Sequence, residues 1–167
     1  MNRFSHIFLV CIVVGTFVAT NALAQDPTTP KGWKRVTACS FSFLLPEKAR
    51  EVTGRPIDSC IAEFRYKDVN VYLDYGLYSA PPSEQASMKN YENRSVTING
   101  SDARLITYDD WTHSKKVLSF TALHIVTAKA TPPILNNVSL LMVITAKPSG
   151  DRQIVKRIYE SLKYLGK

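Results

Sequence analysis

The sequence predicts an α+β domain: a mostly antiparallel sheet of six or seven strands, a C-terminal amphipathic helix and one or two shorter helices. Three observations carry this. From Trp33 to Ala146 the dominant hydrophobic period is two. Asn99-Gly100 separates two alternating runs, and a type I′ hairpin turn needs positive φ at both central residues, which this pair tolerates best. Near the C-terminus Ile154, Ile158, Leu162 and Leu165 recur at spacings of four, four and three. At 167 residues, 45% hydrophobic and 21% charged, the chain fits one globular domain. Those values exclude a disordered polymer, a collagen-like repeat and a multidomain enzyme.

Residues 1–24 read as a signal peptide, with Arg3 in a basic n-region, an apolar run from Ile7 to Ala19, and Ala22-Leu23-Ala24 as the cleavage site. The apolar run is shorter than the roughly 20 residues that span a bilayer as a helix. The expectation is therefore a secreted or periplasmic protein with no transmembrane span after cleavage near Ala24. Cys11 lies within the apolar run after bulky Val10 and reads as part of it. Removing residues 1–24 lowers the formal charge from +7 to +6 and leaves two cysteines, Cys39 and Cys60.

Residues 25–32, with Pro27 and Pro30, read as a linker to a single domain over 33–167. Trp33 to Thr37 and Ser40 to Leu44 read as strand, closed by Pro46, which cannot donate to a ladder. Glu47 to Asp58 reads as a loop or a short helix. Cys60 to Tyr66 and Val69 to Tyr75 read as a hairpin turning at Lys67-Asp68. In that second arm Val69, Val71, Leu73 and Tyr75 alternate with Asn70, Tyr72 and Asp74, so one face is dry and one wet. Ser83 to Tyr91 reads as a short helix with Ser83 as N-cap. The Asn99-Gly100 turn joins Arg94–Ile98 to Ser101–Tyr108 and sets Val96 opposite Ala103. Val117 to Ala128 and Val138 to Ala146 read as a long central antiparallel pair, apolar on both faces. The closing helix ends at Gly166.

An even cysteine count in an exported chain reads as a disulfide. Strand alternation places Cys39 in phase with Phe41 and Phe43, and Cys60 in phase with Ala62 and Phe64. A Cys39–Cys60 bond closing a loop of about 22 residues contributes roughly 3 kcal/mol in the chain-entropy model.

Phe41-Ser42-Phe43-Leu44-Leu45-Pro46, the central meander, and the closing Ile154 to Lys163 stretch with Ser161-Leu162-Lys163 together resemble the Mog1/PsbP-like group of small α/β sandwich domains. The resemblance implies a non-catalytic binding or assembly role and carries over no catalytic residue.

The densest polar and aromatic cluster runs from Tyr108 to Lys116. Asp109, Asp110 and His113 are candidate metal ligands or an acid/base set, and an exported hydrolase or metal-dependent enzyme built on them is the alternative function. Their order matches no ligand motif, and Asp-rich turns are ordinary loop chemistry. The chain has no G-x-S-x-G elbow, phosphate loop or C-x-x-C, so no catalytic residue and no cofactor are expected. His124 reads as a hydrogen-bonded core or sheet-face histidine. The candidate binding residues are Tyr72, Tyr78, Trp111, Lys115 and Lys116, since exposed aromatics anchor partners and cations attract anionic polymers. The basic runs are only pairs, which argues for an envelope protein or an anionic polymer as partner and against nucleic acid. Sequons stand at Asn93, Asn99 and Asn137.

Overall fold

A computed structural model describes residues 28–52, 59–77, 79, 87–110, 118–128, 138–147 and 152–166. They form two antiparallel sheets and one helix. β1 (Trp33–Ala38) and β2 (Phe41–Pro46) make a hairpin whose two turn residues, Cys39 and Ser40, have φ of 50° and 63°. The larger sheet contains β3 (Arg50–Val52), β4 (Cys60–Tyr66), β5 (Val69–Gly76), β6 (Lys89–Ile98), β7 (Ser101–Asp110), β8 (Leu118–Ala128) and β9 (Val138–Ala146). Its order is β3-β4-β5-β9-β8-β7-β6. α1 (Arg152–Glu160) precedes β10 (Lys163–Tyr164), which pairs with β2 and completes a small sheet of order β1-β2-β10. No helix among the described residues is long and apolar enough to cross a membrane.

The small sheet and α1 pack on one face of the large sheet. All six residues of β2 are buried, which follows from its central place in a covered sheet. Phe43 packs edge-on to Phe64 of β4 and Phe41 edge-on to Tyr75 of β5, at ring separations of 5.7 and 5.4 Å. Leu73, Leu105, Leu123 and Met142 continue this core across the large sheet, and Ile158 and Leu162 join it from the C-terminal segment. β8 and β9 hold central positions and pair with each other, as their apolar runs predict. The Lys67-Asp68 hairpin and the Asn99-Gly100 turn form as expected, with φ of 48° and 83° at the latter pair and Val96 opposite Ala103.

The Cys39–Cys60 disulfide is present, with Cα atoms 5.4 Å apart. It ties the β1–β2 turn to the first residue of β4 and so links the two sheets. Cys39 itself lies in the turn, not in strand phase with Phe41, because the two-residue reversal takes both Cys39 and Ser40 out of the ladder.

Other expectations change. The single sheet of six or seven strands becomes a seven-stranded and a three-stranded sheet, since β2 pairs with β1 and β10 and not with the large sheet. α1 is the only helix among the described residues. Within the segment expected to be loop or short helix, Arg50–Val52 pairs with β4, and 53–58 lie outside the described residues. In the segment expected as a Ser83–Tyr91 helix, β6 already begins at Lys89 and 83–86 lie outside the described residues. α1 ends at Glu160, well before Gly166, because the chain leaves the helix to pair as β10 and the Leu165 N–H donates to the Ser40 carbonyl at 2.8 Å. Leu165 is consequently exposed, and the buried stripe is Val155, Ile158, Tyr159 and Leu162. Of the linker, residues 28–32 are described, and the Pro30 carbonyl accepts from the Trp33 N–H at 3.1 Å. The signal-peptide segment lies outside the described residues.

Candidate functional site

The covered face of the large sheet changes character halfway along β7 and β8. Cross-strand partners on that face are Ala103 and Ile125, Leu105 and Leu123, Thr107 and Thr121, and Asp109 and Ser119. Two apolar pairs are followed by two polar pairs. The C-terminal half of α1 sits at the apolar end, where the Asn99 side-chain amide donates to the carbonyls of Glu160 and Leu162. The N-terminal half of α1 lies over the polar end, and there a cleft of about 510 Å³ opens.

Asp109 and Thr121 are the buried polar residues of the floor, each 8% exposed. The Asp109 carboxylate accepts from Asn90 Nδ2 and from the Ser119 hydroxyl, each at 2.6 Å. Burying a carboxylate is unfavourable unless such donors replace water. Asn90 reaches it from a bulge between Lys89 and Glu92, with φ of 55°, a conformation Asn tolerates better than most residues. Thr107, Thr121 and Glu92 complete the polar lining.

The opposite wall is one stripe of α1: Arg152, Val155, Lys156 and Tyr159. Burial pushes the Tyr159 hydroxyl above its ordinary range, Glu160 adds to this, and Arg94 opposes it. Lys147, just past β9, stands at the rim and pairs with Asp68 at 2.7 Å. Lys156 lies 3.7 Å from Glu160, both largely exposed. The cleft therefore combines a hydrogen-bonding floor, a partly apolar wall and a cationic rim.

Asp110 does not join Asp109. Strand alternation sends adjacent residues to opposite faces, so Asp110 shares the outer face with Tyr108, whose ring stacks on Phe120 at 5.0 Å. Burial raises the Tyr108 hydroxyl, with Asp110 adding to the shift. Tyr72 also lies on this outer face, half-buried, its hydroxyl raised by desolvation first and by Asp74 and Glu63 next. Tyr78, Trp111, His113, Lys115 and Lys116 lie outside the described residues. Among the described residues no three His, Cys, Asp or Glu side chains cluster as a metal site would need.

Across the outer face, one cross-strand row contains Asp74, Leu141, His124 and Arg104. His124 is the sheet-face histidine that its strand phase predicts, yet its Nε2 is buried without a hydrogen-bond partner, as is Asp74 Oδ1. Burial lowers the His124 pKa, and Arg104 lowers it further.

Sequence reasoning found Asp109 but missed Asn90, Thr107, Ser119, Thr121, Arg152 and Lys156. The available signal was the loss of apolar character in the odd residues of β7 after Leu105 and in the odd residues of β8 before Leu123. No family model matches the chain, and no curated protein matches it in sequence.

Proposed function

We propose that the protein is an exported, non-catalytic domain that binds a protein or polymer partner in the cell envelope or extracellular space, through the cleft between α1 and the polar half of the β7–β8 pair. The observation that carries this reading is the switch from Leu105/Leu123 to Thr107/Thr121 and Asp109/Ser119 on a single face. A face that served packing alone gains nothing from a buried carboxylate held by two donors. A face that meets a polar ligand does.

Binding is favoured over catalysis because both Asp109 oxygens are occupied by donors of the protein itself. Asp110 lies on the other face, so the two carboxylates do not flank one reactant. The export part of the proposal rests on the Arg3, Ile7–Ala19 and Ala22-Leu23-Ala24 pattern, and a disulfide is compatible with an oxidising compartment. The Mog1/PsbP-like assignment belongs to the same proposal. It is supported by the buried Phe41–Pro46 strand and by α1 packing beside it against an antiparallel sheet.

The test is amide-resolved NMR of the purified protein titrated with a soluble envelope fraction. Shifts at the ends of β6, β7 and β8 and along α1, lost in Thr107→Tyr, are expected. Shifts that map elsewhere, or that survive Thr107→Tyr in a folded protein, overturn the assignment of the cleft. Turnover of a model ester or phosphate that disappears in Asp109→Asn overturns the non-catalytic reading.

A further inference from the structure

We propose that the cleft takes a carboxylate-bearing saccharide, its hydroxyls on the Thr107–Thr121 floor and its carboxylate at Arg152 and Lys156. The inference rests on the cleft being the binding site and specifies what binds there.

Three features of the cleft argue for this class. First, the Thr107–Thr121 floor is the face of two interior strands, β7 and β8, whose backbones are paired on both sides. On that floor side chains address a ligand. Hydroxyls of Thr107 and Thr121 each donate and accept, and so do the hydroxyls of a sugar. Second, Val155 and Tyr159 give the opposite wall an apolar surface. A sugar ring has an apolar C–H face of its own to set against it.

Third, charge is divided between floor and rim. Asp109, which accepts from Asn90 and Ser119, and Glu92 place two carboxylic side chains along the floor and leave it unfavourable for an anion. Arg152 has no carboxylate partner among the described residues, and the exposed Lys156–Glu160 pair at 3.7 Å is easily exchanged for another anion. A ligand that is hydroxylated at one end and anionic at the other is oriented by this division. A cleft of about 510 Å³ falls within the usual range for small-ligand sites, which is roughly 300–1,000 Å³.

The probes are digalacturonate, its dimethyl ester and inorganic sulfate, each titrated into the full protein by calorimetry and by NMR. Digalacturonate should shift amides around Thr107, Thr121 and Lys156, and the ester should bind about tenfold more weakly, the loss expected when charge-assisted hydrogen bonds are removed. Arg152→Gln with Lys156→Gln should weaken digalacturonate by a similar factor and leave the ester unchanged. Equal binding of acid and ester overturns the acidic-sugar assignment, as does sulfate competing as tightly as the saccharide. If digalacturonate does not bind while the envelope fraction still shifts cleft residues, this inference falls and the binding role of the cleft stands. If neither shifts them, both fall.

Discussion

The Asp109 carboxylate and the Ser119 hydroxyl meet across the β7–β8 pair at 2.6 Å, on the side of the sheet that faces α1. With Asn90 on the other oxygen, this three-residue unit is the polar anchor of the cleft floor. Asp109→Ala leaves the Asn90 amide and the Ser119 hydroxyl without their acceptor in a half-closed space and should destabilise by about 2 kcal/mol. Ser119→Ala removes one donor to a charged group and should cost about 1.5 kcal/mol. Urea unfolding of both variants and of the double variant measures the coupling. Strictly additive losses would mean that the two side chains do not act as a unit.

Asn99 does two jobs, and substitution separates them. Its φ of 48° supports the β6–β7 turn, while its side-chain amide donates to the carbonyls of Glu160, the last residue of α1, and of Leu162, two residues beyond it. Asn99→Gly keeps the backbone freedom and loses the bonds, for about 1 kcal/mol. Asn99→Ala also forces a left-handed Ala and should lose roughly a further 1 kcal/mol. Denaturant midpoints should order wild type, Gly, Ala. A Gly variant as stable as wild type would show that the helix end does not depend on this amide.

The disulfide joins two sheets that share no backbone ladder. With Cys39 and Cys60 21 positions apart, replacing both by Ser should lower stability by about 3 kcal/mol through the freed unfolded chain. Wild type in reductant should match the double Ser variant in air. A reduced protein as stable as the oxidised one would contradict the estimate.

What the sequence made legible was what short-range chemistry determines. Lys67-Asp68 and Asn99-Gly100 are turn chemistries that set their own registers, and period-two alternation then assigned faces correctly from Cys60 to Tyr75. In β8 both faces were expected to be covered, but only that of Leu123 and Ile125 is fully buried, and Val126 on the other is 44% exposed. Pairings between distant segments were not legible. β5 beside β9 and β2 beside β10 depend on which apolar faces meet in three dimensions, and the β10 pairing cut α1 short. The cleft was hidden for the same reason. Thr107, Ser119 and Thr121 are acceptable residues in any strand, and they converge on Asp109 only in the β7–β8 register. Strand alternation within β7 separates Asp109 from Asp110, which adjacency in sequence had suggested as a pair.

His124 supplies a pH dependence whose sign can be worked out. Burial on the outer face, reinforced by Arg104 directly across the β7–β8 pair, holds its pKa below the ordinary 6.5. The unfolded chain therefore binds more protons than the folded one between the lowered folded value and about 6.5. Stability rises with pH where the unfolded state is the more protonated, so this contribution is fully present above about 6.5 and is lost as pH falls toward the folded value. The neighbours that face His124 act in the same row: Arg104 from β7 opposes its protonation, and Leu141 from β9 offers it no partner. His124→Leu removes both the titration and the unpartnered Nε2. Thermal midpoints taken between pH 7.5 and pH 5.5 should fall more steeply in wild type than in His124→Leu, with the variant at least as stable at pH 7. Parallel slopes in the two proteins would show that acid sensitivity over this range arises from other groups.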